Sequence, residues 1–156
     1  KNIHTKKIMC NYMLGYISEL YHLHMNKRQD FYYLALSKES DGFYSISGLR
    51  PQYSLNSSPT YCRDVNFSID KLDPIIDKLN KYWTKDTDKN IDFWRNEYEK
   101  YGSCMFDGMS EFEYFNKIVE LYEYALINNI IQKKSNKKPN SNQLLIIIDR
   151  DFNINK

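Results

Sequence analysis

The sequence predicts an α+β fold in which helices pack on an antiparallel sheet. Three observations carry that expectation. Two strand-like segments, 31–37 and 43–49, flank an Asp41-Gly42 turn signal. Stretches with helical spacing of apolar residues lie on either side of this pair. A late apolar run, "QLLIIID" at 143–149, supplies another strand. The order helix, two strands, helices, strand fits helices laid on a sheet.

In "KKIMCNYMLGYISELYHLH" (6–24), Ile8, Tyr12, Met13, Tyr16, Ile17 and Leu20 fall at helical intervals. "FYYLALS" (31–37) is aromatic and aliphatic with no breaker, as a buried strand requires. "FYSISGL" (43–49) alternates, with Phe43, Ser45 and Ser47 on one face and Tyr44 and Ile46 on the other. The two segments form an antiparallel hairpin. Residues 50–67, with prolines and serines, read as loop. Ser68 is placed to cap a helix through "IDKLDPIIDKLNKYW", and Pro74 splits that span into two helices meeting near Asp73. A polar connection (84–90) leads to a helix from about Ile91 to Tyr101. Ser110 with Glu113 is a capping box opening a long helix whose stripe is Phe112, Phe115, Val119, Tyr122 and Leu126. "QKKSNKKPNSN" (132–142) reads as a basic loop, and 143–149 as the central strand of the sheet.

With 156 residues, the chain suffices for one domain and one core. Its 42% hydrophobic and 15% aromatic content argues for a folded globule. A net charge of +2 is too small to imply nucleic-acid binding by bulk charge. No apolar run reaches about 18 residues, so no membrane span is expected. The first residue is Lys rather than Met, which is expected of a processed or partial chain. His22 and His24 form an H-x-H pair and His4 stands alone, without the further ligands a zinc site needs; neither metal nor cofactor is expected. Asn56 and Asn66 head N-x-S/T sequons. Tyr12, Tyr16, Tyr122 and Tyr124 read as core or half-buried surface, or as a protein-binding surface if the first helix projects.

Two stretches carry chemistry. "YSISGLRP" (44–51) overlaps the second strand-like segment, and "FWRNEYEKYGSC" (93–104) sets Asn96, Glu97, Lys100 and Tyr101 along a helix that closes on a glycine and a cysteine. On spacing alone Glu97 and Lys100 form a surface ion pair, three apart on a helix. Cys10, Cys62 and Cys104 allow at most one internal disulfide or remain thiols.

Taken together the two stretches resemble the two active-site segments of the ribonuclease T2 family, roughly F-T-I-H-G-L-W-P and W-x-H-E-W-x-K-H-G-T-C. This chain keeps Ile46, Gly48, Leu49 and Pro51 of the first. Of the second it keeps Trp94, Glu97, Lys100, Gly102 and Cys104, with Tyr98 for an aromatic and Ser103 for Thr. The resemblance runs over about residues 31–150. It implies a ribonuclease T2-like domain at 31–156 preceded by an N-terminal helical extension at 1–30. It also implies a Cys62–Cys104 disulfide, and hence a secreted location or the lumen of an oxidising compartment.

The family cleaves RNA by driving a ribose 2′-hydroxyl onto the adjacent phosphate, with histidines moving the protons. Here Ser47, Asn96 and Tyr101 stand at the three histidine positions. Asn does not titrate, serine is too weak an acid, and a tyrosine hydroxyl ordinarily titrates near 10, so only about one part in a thousand is ionised at pH 7. The resemblance therefore implies a scaffold without proton-transfer groups, with Ser47, Asn96, Glu97, Lys100 and Tyr101 as relict positions. Arg50, in place of the family's Trp, and Lys100 are the expected RNA- or phosphate-binding residues. The expected partners are RNA, bound weakly, and other proteins through the N-terminal helix, as a structural or binding subunit of a larger assembly. Two alternatives stand beside this: an active endoribonuclease with its acid–base pair rebuilt from Glu97, Tyr101 or an N-terminal histidine, and a secreted effector that binds a host protein.

Overall fold

The computed structural model describes residues 30–85 and 89–154. The helix expected over 6–24, with Cys10, Tyr12, Tyr16 and all three histidines, lies outside the described residues.

The hairpin forms as its sequence dictates. Strand β1 (Phe31–Lys38) pairs antiparallel with β2 (Tyr44–Gln52), and Asp41 Oδ1 accepts the amide of Phe43 at 3.0 Å to close the turn. β2 runs three residues beyond the expected end, through Pro51. Strand β3 (Gln143–Asp149) pairs with the other side of β1, giving the order β2-β1-β3. The central strand is therefore β1, and β3 is an edge. The cause is visible in its burial: Leu144, Ile146 and Ile148 are buried, while Leu145 and Ile147 are 43% and 41% exposed. An apolar run that looks buried on both sides is in fact buried on one.

A 3-10 helix (Ile69–Ile75) precedes helix α1 (Ile76–Tyr82). The break expected near Asp73 falls at Ile75, so Pro74 sits in the tighter turn, where its missing N–H costs less than in an α-helix. Ser68 opens this segment without a side-chain cap; its amide instead donates to Glu111 Oε1 at 2.6 Å. Helix α2 spans Asn90–Lys100 and a short 3-10 turn follows at Gly102–Cys104. Helix α3 (Glu111–Ile127) starts on the capping box: Ser110 Oγ accepts from the Glu113 amide at 3.2 Å, and Glu113 Oε2 accepts from the Ser110 amide at 2.8 Å. Its buried face is wider than the expected stripe. It includes Tyr114, Ile118, Leu121 and Ala125, while Phe112 is half-buried and Leu126 is 40% exposed. Tyr122 is buried and Tyr124 is exposed.

The segment expected to be a basic loop contains helix α4 (Ile130–Lys137). Ile130 and Ile131 bury against the core and hold a helix that is otherwise polar, so its anchor lies just ahead of the lysine run.

The core forms between one face of the sheet and the helices. Tyr32, Leu34, Leu36, Ile46, Leu49, Ile146 and Ile148 meet Phe115, Ile118, Val119, Leu72 and Leu79. Two tyrosines pin α3 to β2: Tyr114 donates to Leu49 O at 2.9 Å and Tyr122 to Tyr44 O at 2.6 Å. Trp94, on α2, is buried and donates to Trp83 O at 3.1 Å. These contacts hold α2 against the edge of β2, where the two quoted sequence stretches meet.

Candidate functional site

The strand side of the site is a β-bulge. The register passes from Leu36 opposite Ile46 to Ala35 opposite Gly48, so Ser47 is the extra residue. A bulge re-aims a side chain out of the pleat. The Ser47 hydroxyl turns to β1 and shares a hydrogen bond with the Ser37 hydroxyl. Gly48 follows, and here glycine is required by close approach. A Cβ would stand 2.9 Å from Glu97 Cδ, so any side chain would collide with the carboxyl group.

The helix side follows from the inward residues of α2. Trp94 and Tyr98, four apart, bury on the core and turn Glu97 and Tyr101 towards β2. Asn96 is exposed, and Lys100 and Tyr101 are half-buried. Arg50 Nη2 donates to Glu97 Oε1 at 3.1 Å, across 47 residues of chain. The Arg50 guanidinium also lies 5.1 Å from the centroid of the Tyr101 ring, and Lys100 Nζ lies 5.1 Å from the same centroid.

The expected Glu97–Lys100 surface pair is thus replaced by a Glu97–Arg50 pair. The side chains of Arg50 and Glu97 are only 24% and 18% exposed. A carboxylate withdrawn from water this far takes the planar guanidinium, which is the less strongly hydrated cation. Lys100 is left free to pack on Tyr101. Burial pushes the Glu97 carboxyl above its ordinary range, with Arg50 and then Lys100 pulling it back. Glu97 Oε2 and Arg50 Nε are buried without hydrogen-bond partners. Beneath them the Tyr114 hydroxyl is held well above its usual range by burial, with the Glu97 charge adding to the effect.

The far end of α2 is clamped. Cys62 and Cys104 form a disulfide with Cα atoms 5.1 Å apart. The Tyr61 amide donates to Lys100 O at 2.8 Å, and the Cys62 amide donates to Ser103 Oγ at 3.1 Å, which in turn donates to Glu99 O at 2.7 Å.

The fold therefore gathers Gly48, Arg50, Glu97, Lys100 and Tyr101, with Ser47 adjoining through Gly48, and leaves Asn96 on the exposed flank of α2. Ser37, Tyr114 and the Arg50–Glu97 pair escaped the sequence reading. Ser37 is signalled only by its polarity at the end of a buried strand; the pair has no local signal. Chemically the cluster offers two cations and several hydrogen-bond donors to an anion. The group in it whose titration is displaced from the ordinary carboxylate range is Glu97. Among the described residues no His/Cys/Asp/Glu cluster has metal-binding geometry.

Residues 6–149 match the ribonuclease T2 family, so the match begins inside the segment 1–30. Ribonuclease DdI of Dictyostelium discoideum is 31% identical over 108 residues, covering 68% of this chain and 48% of that protein. Ribonuclease T2 of Sus scrofa is 29% identical over 98 residues, covering 58% and 47%. The chain spans about half the length of these two relatives. Among solved structures, ribonuclease MC1 from bitter gourd seeds aligns with a TM-score of 0.60 at 19% identity, over 80% of this chain and 92% of that one. The RNase-related protein from Calystegia sepium aligns with a TM-score of 0.63 at 17% identity, over 83% and 90%. These two likenesses establish the fold.

Proposed function

This chain belongs to the ribonuclease T2 family, and from that premise we propose that it holds RNA phosphates without cleaving them, serving as a structural or binding subunit. The observation that carries the reading is the set of residues at the proton-transfer positions. Ser47, Asn96 and Tyr101 stand where the family pattern has histidines, and the neighbouring carboxylate, Glu97, is engaged by Arg50 at 3.1 Å. A positioned acid or base is worth about 10²–10⁴-fold, so losing both costs on the order of 10⁴ or more. Lys100 remains to stabilise charge on a phosphate, which supports binding. The disulfide is consistent with a secreted protein or an oxidising lumen, and the sequon residues Asn56 and Asn66 are exposed.

One observation favours a second reading, an active enzyme with a rearranged site. Burial moves the Glu97 carboxyl upward, towards the range of a working general acid. A cleavage assay separates the two. The chain is incubated with 5′-labelled RNA beside the Ser47→His/Asn96→His variant, and products carrying a 2′,3′-cyclic phosphate are scored. The expected result is no such product from the unmodified chain and a detectable return in the double variant. Cleavage by the unmodified chain that Glu97→Ala abolishes would establish the enzyme instead.

A further inference from the structure

We propose that the lysine-lined hollow between α4 and β3 is a second phosphate-backbone site, and that single-stranded RNA runs from it across the outer face of the sheet to the Arg50–Lys100 cluster. The Arg50–Lys100 end of this track rests on the binding reading above; the hollow stands on separate residues.

The hollow holds about 390 Å³ and is lined by Lys134, Lys137, Lys138, Ser141, Gln143 and Leu145, among others, with no carboxylate in its wall. Helix α4 creates it by burying Ile130 and Ile131 and turning its last-turn lysines outward. None of the three lysines has an acidic partner within 4.0 Å among the described residues, although seven other ion pairs form. Cations at a helix C-terminus are favoured by the macrodipole, about 0.3–1 kcal/mol each. That explains Lys134 and Lys137 on the helix. It does not explain why both converge with Lys138 on one acid-free concavity.

The sheet then supplies a path. Gln143 on β3 pairs with Ser37 on β1, Ser37 pairs with Ser45 on β2, and the Ser37 hydroxyl meets the Ser47 hydroxyl. Paired residues share a face, so Gln143, Ser37 and Ser45 form one polar row on the face opposite the core, and the Ser37–Ser47 hydroxyl contact brings the bulged Ser47 to the same side. The row crosses two strand spacings, about 10 Å. Its far end, Ser47, adjoins Gly48, against which Glu97 and Arg50 lie. Glu39, at the turn end of the row, is covered by Lys85 at 3.3 Å and by the Ser45 hydroxyl. Exposed Leu145 and Ile147 stand beside the row and offer apolar surface to bases. Cations at both ends of a hydrogen-bonding row fit an anion with charges repeated along its length, which is a nucleic-acid strand rather than a lone phosphate.

The test is fluorescence anisotropy with a labelled oligouridylate of about ten nucleotides, titrated between 0.05 and 0.3 M salt. Each single-strand phosphate contact contributes about 0.7 to the slope of log K against log salt. Lys134→Ala/Lys137→Ala/Lys138→Ala should therefore flatten the slope by about 2 and weaken binding at 0.15 M salt by about 50-fold. Lys71→Ala/Lys78→Ala/Lys89→Ala removes the same charge elsewhere and should leave the slope within about 0.5 of the original. Equal flattening by both triple variants, an unchanged slope in the first, or no RNA binding by the unmodified chain would each overturn the proposal. So would binding to phosphatidylserine vesicles that exceeds binding to RNA. If the first triple variant keeps its slope while Lys100→Ala weakens binding, the hollow is refuted and the binding reading of the Arg50–Lys100 cluster stands. If it loses slope but the chain cleaves the RNA, the hollow stands and the non-cleaving reading fails. Circular dichroism melts of both triple variants should lie within about 4 °C of the parent, since the lysines replaced are not core residues and the Lys78–Glu123 pair lost in the second is a surface one.

Discussion

Removing Arg50 tests whether its charge or its packing holds α2 against β2. In Arg50→Met the aliphatic stem is kept and Glu97 loses its hydrogen-bonded cation. Exposed ion pairs are worth about 0–1 kcal/mol, whereas breaking a fully buried pair costs about 3–5 kcal/mol. The side chains here are 24% and 18% exposed, and Glu97 Oε2 already lacks a partner, which places this pair between the two cases and nearer the buried one. The expected loss at pH 8 is about 2 kcal/mol, or about 4–8 °C in Tm for a domain of this size. The sign with pH follows from Glu97. Its folded-state carboxyl is raised by burial, so its stabilising contribution is full below the unfolded value of about 4.3 and is lost as pH rises through the folded value. Without Arg50 the carboxyl rises further, so the variant's deficit should be small at pH 4 and grow as the pH rises. The assay is a pair of thermal melts at pH 4 and pH 8, repeated in Arg50→Met/Glu97→Gln, where the pH-dependent part should vanish. A deficit of the same size at both pH values would show that Arg50 acts by packing.

Two further outcomes follow from the same geometry. Replacing Cys62 and Cys104 by Ser opens a link between residues 42 apart, which the chain-entropy relation values at about 4 kcal/mol; melts with and without reductant should coincide for the variant and differ for the parent. Gly48→Ala forces a Cβ into the Glu97 carboxyl and should cost about 2–3 kcal/mol in denaturant titration, with part of the loss recovered by adding Glu97→Ala.

Signals that depend on neighbours in sequence were legible before the structure. The hairpin was set by Asp41-Gly42 and by the alternation of 43–47, and the start of α3 by Ser110 and Glu113, because turns and caps are made within a few residues. What escaped depends on distant partners. β3 reads as a central strand because both of its faces are apolar, and only pairing shows that Leu145 and Ile147 lack a covering layer. α4 reads as loop because its helix is held by two isoleucines rather than by a full stripe. The bulge at Ser47 is invisible because register belongs to two strands at once. The family resemblance named the residues at the site, while helix spacing alone paired Glu97 with Lys100; choosing Arg50 instead required knowing how far the carboxylate is buried.

Apart from Glu97, the residues that build the site and those at the family's chemical positions form separate sets. Trp94 is sealed against Trp83 O, Tyr98 and Tyr114 pack in one aromatic cluster, and the Tyr114 hydroxyl holds Leu49 O. Gly102 admits the Tyr98 and Tyr114 rings, with Tyr114 Cε1 3.2 Å from where its Cβ would be. Gly48 and Cys104 are likewise fixed, one by the Glu97 carboxyl and the other by its bond to Cys62. Every one of these matches the family pattern or supports a residue that does. Ser47, Asn96 and Tyr101, by contrast, are half-buried or exposed, so exchanging them removes little packing and costs the fold little. Glu97 is the informative member because it belongs to both sets. Arg50 holds its carboxylate at 3.1 Å, and the pH dependence of Arg50→Met reads out that pairing.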